Sequence, residues 1–208
     1  MISLAVPTGA LLAGSLELLS RARVAALTAS DIGRRLLIET GEVRLVLVRP
    51  SDVPAYVDYG AVDLAIVGKD SLLEYPGSRY ELLDLGFGAC AMVLAVPEAS
   101  GIQDLASFPP VIRVASKYPR CTLRYMREVG QTAEVVSLHG SVELAPLVGL
   151  VDAIVDLTAT GRTLADNQLR VVDRLFASSA RLVANQASLK TRADELQALV
   201  ARLREASR

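Results

Sequence analysis

Apolar positions follow two rhythms along this chain. Ile2, Leu4 and Val6 alternate into Pro7-Thr8-Gly9, which predicts a strand ending in a turn; Leu12, Leu16 and Leu19 then recur at helical spacing. Arg44 to Arg49 reads as a buried strand stopped by Pro50, and Ser51-Asp52-Val53-Pro54 as a helix start with a capping side chain and a proline in the first turn. Gly60 closes that helix. Leu64 to Val67 is the next strand, ending at Gly68-Lys69-Asp70, and Leu72-Leu73 begin another helix. Tyr80 to Leu85 and Ala89 to Val96 read as strands, and Ser100 to Pro110 as a polar connector. Strands follow at Val111 to Ala115, Ala133 to Leu138 and Ala153 to Val155, with helices at Thr122 to Val129 and Val142 to Val148 between them. Leu182 to Ala184 reads as a further strand, and from Gln186 the chain reads as helix to its end, with Leu189, Leu196, Leu199, Val200 and Leu203 as an apolar stripe. Strands alternating with helices predict α/β architecture with mostly parallel, buried strands.

One stretch repeats. Tyr59-Gly60-Ala61-Val62-Asp63-Leu64-Ala65-Ile66-Val67 resembles Val148-Gly149-Leu150-Val151-Asp152-Ala153-Ile154-Val155. Each is a helix end, a glycine, an aspartate and a buried strand leading to a polar loop. Chance is one explanation, since Gly and Val are common. The other is two similar α/β lobes, each offering a strand-end loop to a shared cleft. The lobes expected are residues 1–92 with 178–208, and residues 93–177.

The second of those loops carries the strongest local chemistry. Asp152 to Leu164 passes from strand into hydroxyl-rich Thr158 to Thr163 around Gly161, and then into a helix start. Free backbone N–H groups and the helix dipole favour an anion there. Thr158, Thr160 and Thr163 add hydroxyls, Arg162 adds a charge, and Asp156 could take sugar hydroxyls. A Thr-capped turn accounts for the same residues.

Composition narrows the classes. The chain has 208 residues, 51% of them apolar, enough for one large domain or two small lobes. A formal net charge of −1 argues against a polyanion binder but not against a small phosphorylated ligand. Cys90 and Cys121 read as free buried thiols in a reducing compartment. No signal peptide or membrane span is read in the N-terminal stretch, so a cytoplasmic soluble protein is expected. One histidine, His139, argues against a His-based metal site.

Several runs together resemble the catalytic subunit of ATP phosphoribosyltransferase: Asp52 to Val57, Ile66 to Asp70, Tyr80 to Gly86, Ala115 to Pro119, His139 to Leu147, Asp156 to Leu164 with Asn167 and Leu169, and Ser178 to Asn185. The resemblance implies a two-lobed, periplasmic-binding-protein-like (type II) fold with a ligand cleft between the lobes. It implies transfer of the phosphoribosyl group of 5-phosphoribosyl 1-pyrophosphate to N1 of ATP, the first step of histidine biosynthesis, with Mg²⁺ on the phosphates. In that family's pattern Thr160, Gly161, Arg162 and Thr163 hold the 5-phosphate with the Ala159 N–H, and Glu143 and Asp156 meet the ribose hydroxyls. Arg34, of the Arg34-Arg35 pair, matches an arginine that approaches the pyrophosphate. Lys69 and Asp70 are the candidates for ATP. Lys117 could face phosphate or solvent, and His139 reads as structural.

The resemblance also implies a partner. The chain looks like the family's short form, which works with a regulatory subunit resembling histidyl-tRNA synthetase. The stripe on the last helix is then core packing or a contact surface, core packing being the expectation. One departure stands out: where the family has Pro-Lys-Gly-Arg after the first strand, this chain has Pro7-Thr8-Gly9-Ala10, losing both cations. That departure keeps two alternatives in view, a catalytically weakened paralogue and a two-lobed small-ligand binding protein.

Overall fold

The computed structural model describes residues 1–208, which divide into two compact units. Unit 1 comprises Met1–Ala89 and Ser179–Arg208, and unit 2 comprises Cys90–Ser178.

Unit 1 begins with β1 (Ile2–Pro7), α1 (Leu12–Arg21), α2 (Ala29–Ile32), β2 (Leu37–Glu39), β3 (Val43–Val48), α3 (Val53–Asp58), β4 (Leu64–Gly68), α4 (Lys69–Glu74) and β5 (Arg79–Asp84). Unit 2 follows with β6 (Cys90–Pro97), β7 (Val111–Ser116), α5 (Pro119–Glu128), β8 (Thr132–Ser137), α6 (Leu144–Leu147), β9 (Ala153–Thr158), α7 (Arg162–Asp166) and β10 (Leu169–Ser178). The chain then returns to unit 1 as β11 (Ala180–Asn185), α8 (Gln186–Thr191) and α9 (Ala193–Ala206).

Each unit is built on one sheet, ordered β2-β3-β1-β4-β11-β5 in unit 1 and β10-β6-β9-β7-β8 in unit 2. The expectation of mostly parallel strands is corrected. β1 is parallel to β3 and β4, and β7 to β8 and β9. The other five pairings are antiparallel. Four of these involve the strand that enters unit 2 (β6) or the one that returns to unit 1 (β11), which insert head-to-tail beside β9 and β4, and the fifth joins the consecutive strands β2 and β3.

Alternation sorts the core of unit 2 onto two faces. Met92, Leu94, Val96, Ile112, Val114, Ala153 and Val155 pack with Tyr125 and Met126 of α5. Val93, Ala95, Ala115 and Ile154 pack on the other face with Val142, Ala145 and Leu164, which brings α6 and α7 to the same side. In unit 1, Leu196, Leu199, Val200 and Leu203 of α9 are buried in the cluster that holds Leu16, Leu18 and Leu19 of α1. The apolar stripe is therefore core, and burying each such side chain stabilises by about 2 kcal/mol.

Three local expectations change. The C-terminal helix is broken at Arg192 (φ −133°, ψ 34°), whose guanidinium reaches Asp63 at 2.9 Å. Asp52 does not cap α3; its carboxylate accepts the Ser51 hydroxyl at 3.0 Å. Cys121 is buried but Cys90 is only half-buried.

Candidate functional site

In unit 2 the chemistry collects at the C-terminal end of β9. Asp156 lies within the strand, two residues before its end, and is 9% exposed. The pleat puts it on the face of Ile154, toward α6 and α7. Its Oδ1 accepts the Leu157 N–H at 2.8 Å, and its Oδ2 lies 3.9 Å from Lys117 Nζ. Lys117 reaches this point because β7 runs parallel to β9 with Ser116 opposite Val155.

Beyond β9 the chain turns sharply. Thr158 Oγ1 accepts the Gly161 N–H at 2.8 Å, and Gly161 takes the left-handed conformation (φ +77°) that opens α7. A Cβ on Gly161 would meet nothing within 4 Å, so the glycine serves the backbone turn and not a crowded contact. Ala159, Thr160, Arg162 and Thr163 are exposed. Thr160 Oγ1 accepts the Arg162 N–H at 3.4 Å, while the N–H groups of Ala159, Thr160 and Thr163 have no backbone acceptor. Arg162 is 86% exposed at its side chain and lies 3.7 Å from Asp166, a contact that leaves it available. Glu143 stands half-buried at the first turn of α6, flanked by Val142 and Ala145, which pack with Leu164 of α7. Unit 2 thus puts Glu143, Lys117, Asp156 and Ala159 to Thr163 on one face or end of its sheet. His139 is exposed in the loop before α6.

Unit 1 holds the remaining candidates. Lys69 begins α4 directly after β4, and its Nζ pairs with Glu81 Oε2 at 2.6 Å. Glu81 also meets Arg181 at 3.2 Å, and Arg181 meets Asp84 at 2.9 Å. The Asp84 carboxyl is held below its ordinary value chiefly by the Gly86 N–H; burial opposes this, and Ser179, Arg181 and Lys69 add to the lowering. Asp70 is buried and accepts the Ser71 hydroxyl at 3.3 Å. A Cβ on Gly68 would sit 2.3 Å from Asp70 Oδ1, so this carboxylate is packed on the glycine.

Arg34 follows the capped turn of α2, where Thr28 and Asp31 cap one another and Gly33 (φ +56°) ends the helix. It is exposed and makes no ion pair; Arg35 turns back onto the Ile32 and Asp31 carbonyls. At the end of β1, Thr8 donates its N–H to the Val48 carbonyl at 2.9 Å. Because Pro7 pairs with Val48, Arg49 stands beside Thr8. Arg49 is an exposed cation that the sequence reading passed over; the order of parallel strands, once known, points to it.

A model of the ATP phosphoribosyltransferase family matches residues 49–205. The chain is 49% identical over 202 residues to an ATP phosphoribosyltransferase of Rubrobacter xylanophilus, covering 96% of this chain and 94% of that one. It is 42% identical over 207 residues to an ATP phosphoribosyltransferase of Caldanaerobacter subterraneus, covering 99% and 97%. Among solved structures, an ATP phosphoribosyl transferase (HisG:HisZ) complex from Thermotoga maritima contains a chain that superposes with a TM-score of 0.86 at 34% identity, covering 100% of this chain and 98% of that one. The alkanesulfonate-binding protein SsuA from Xanthomonas axonopodis pv. citri superposes with a TM-score of 0.62 at 15% identity, covering 99% and 72%, a likeness of fold alone. That likeness places the chain in the two-lobed, periplasmic-binding-protein-like (type II) fold class.

Proposed function

The chain belongs to the ATP phosphoribosyltransferase family, and on that premise we propose that the end of β9 in unit 2 carries its sugar donor. The enzyme transfers the phosphoribosyl group of 5-phosphoribosyl 1-pyrophosphate to N1 of ATP, giving N1-(5-phosphoribosyl)-ATP and pyrophosphate, the first step of histidine biosynthesis. The adenine N1 is itself the nucleophile. The protein has to anchor the 5-phosphate, accept the ribose hydroxyls, neutralise the leaving pyrophosphate and hold adenine in line.

We assign the 5-phosphate to Ala159, Thr160, Gly161, Arg162 and Thr163, and the ribose hydroxyls to Asp156 and Glu143. One observation carries this: an exposed turn with unpaired N–H groups follows directly on a nearly buried carboxylate. Lys69 and Asp70 are assigned to ATP, and Arg34 to the pyrophosphate. Arg49, beside Thr8, supplies a cation at the strand end where Thr8 and Ala10 carry none.

Glu143 and Asp156 suit an oxygen-bound Mg²⁺, yet the chain brings no three metal-ligating side chains together. Mg²⁺ is therefore assigned to the substrate phosphates, where it would neutralise charge on the leaving group. We assign a partner subunit resembling histidyl-tRNA synthetase, in keeping with the HisG:HisZ complex of the Thermotoga maritima protein. No helix is long and apolar enough to cross a membrane. The reaction is assigned to the cytoplasm, where ATP and the sugar donor are made.

The test follows the absorbance of the N1-substituted product with ATP, donor and Mg²⁺, with and without the partner subunit. Thr163→Ala should raise KM for the donor about tenfold, and Asp156→Ala more, by loss of one and of several charge-assisted hydrogen bonds. Unchanged donor kinetics in both variants would refute the assignment.

A further inference from the structure

The turn after β7 is fixed more tightly than a solvated lysine needs. Ser116 is fully buried. Its Oγ donates to the Val155 carbonyl at 2.7 Å and accepts the Tyr118 N–H at 2.9 Å. Its carbonyl accepts the Leu138 N–H at 3.1 Å, and the Tyr118 carbonyl accepts both the N–H and the hydroxyl of Thr122. These anchors fix the backbone on both sides of Lys117 and so place its Cα beside β9. Its Nζ rests 3.9 Å from Asp156 Oδ2, with the side chains 39% and 12% exposed. That distance exceeds a hydrogen bond, so the attraction is coulombic and the ammonium keeps its donors for another anion.

The stereochemistry of the donor says which anion. On its ribose ring the 2- and 3-hydroxyls and the 1-pyrophosphate lie on one face, and the carbon bearing the 5-phosphate on the other. A carboxylate that accepts those hydroxyls faces the pyrophosphate side. We infer that Lys117 is a catalytic residue that binds the leaving pyrophosphate, an inference that rests on the assignment of Asp156 and residues 159–163 to the donor. In the reaction the N1 lone pair forms the bond to C1 while the C1–O bond breaks. The electron pair of that bond leaves on pyrophosphate, which gains one negative charge, and the adenine ring takes the matching positive charge. No proton has to move. A cation against the departing oxygen stabilises the transition state more than the ground state.

Lys117→Met should lower kcat on the order of 100-fold, with KM for the donor changed less than about threefold. Calorimetry should show inorganic pyrophosphate bound about tenfold more weakly in the presence of Mg²⁺, while ribose 5-phosphate binds as in the unmodified enzyme. Lys117→Arg should recover most of the kcat. Unchanged pyrophosphate binding, or equal weakening of ribose 5-phosphate, would overturn the inference and leave Lys117 as a support for Asp156. Thr163→Ala, run alongside, separates the two readings: ribose 5-phosphate binding unaffected by that change removes the donor assignment itself, and weakened binding there with a normal Lys117→Met enzyme removes only this inference.

Discussion

The matching strands β4 and β9 begin alike and end differently. Each follows a helix closed by a glycine in the left-handed conformation, Gly60 (φ +72°) and Gly149 (φ +74°). Ala61 bonds back to Tyr56, and Leu150 to Ala145, by the same six-residue closure. Each strand is preceded by an aspartate that clips it to its parallel neighbour. Asp63 donates its N–H to Ser3 O and accepts the Ser3 N–H, and Asp152 does the same with Arg113. At the other end the likeness stops. After β4 the turn is tied down: Lys69 N bonds to Ser179 O, Lys69 Nζ to Glu81, and Asp70 packs on Gly68. After β9 the turn stays open, with exposed threonines and free N–H groups. The shared start secures each sheet, and the divergent ends leave a tied-down turn after β4 and an open one after β9.

The largest expected difference lies between the two clips. Asp63 accepts four hydrogen bonds, from Ser3 N–H, Ser3 Oγ, Ser188 Oγ and Arg192, and ties β1 and β4 to the C-terminal helices. Asp152 has only the Arg113 N–H at 2.8 Å and a loose ion pair at 3.5 Å. Asp63→Ala should cost about 3 kcal/mol, since it strands several partly buried donors, and Asp152→Ala about 1 kcal/mol. Thermal or urea unfolding reads both. Equal losses would mean that the two clips matter for the strand pairing alone.

The two glycines sharpen the contrast at the strand ends. Gly68 has an ordinary φ of −70°, so only space forbids a methyl group there. Gly68→Ala should cost about 2 kcal/mol by displacing the buried Asp70 carboxylate. Gly161 has open space and a positive φ, so Gly161→Ala should cost about 1 kcal/mol by strain, yet raise KM for the donor by moving the N–H groups of the turn. A Gly161→Ala enzyme with normal donor KM would deny that this turn holds a phosphate.

Much of this was legible in the residues, for reasons that differ by place. Buried runs such as Leu64 to Val67 and turn-bounded helices gave their elements away because burial and capping are local. The ten-residue strand Leu169–Ser178 was not read: it is a half-exposed edge with two register shifts, so its apolar residues do not alternate. Leu37–Glu39 buries one residue and offers too short a pattern. The break at Arg192 depends on Asp63, 129 positions away, and no window around Arg192 contains it. The hydroxyl-rich turn was visible as a pattern, whereas the placing of Lys117 against Asp156 and of Arg49 beside Thr8 needs strand order, which is a tertiary fact.

The smallest effect distinguishes the clips by pH. Burial works to raise the Asp63 carboxyl, but the Ser3 N–H and Oγ, the Ser188 hydroxyl and Arg192 outweigh it and hold the group below its ordinary value of 3.8. A carboxyl depressed in the folded state binds its proton more weakly there than in the unfolded chain. Its contribution is therefore fully present above the unfolded value and is lost as pH falls through the folded one. The gap in stability between the unmodified enzyme and Asp63→Asn should stay level from about pH 8 to pH 5 and narrow below about pH 4. A matched Asp152→Asn series should show a smaller gap throughout, since that side chain is more exposed (35% against 13%) and more loosely paired. A gap for Asp63→Asn that persists undiminished to pH 3 would mean that the hydrogen-bond geometry at Asp63, and not its charge, carries the clip.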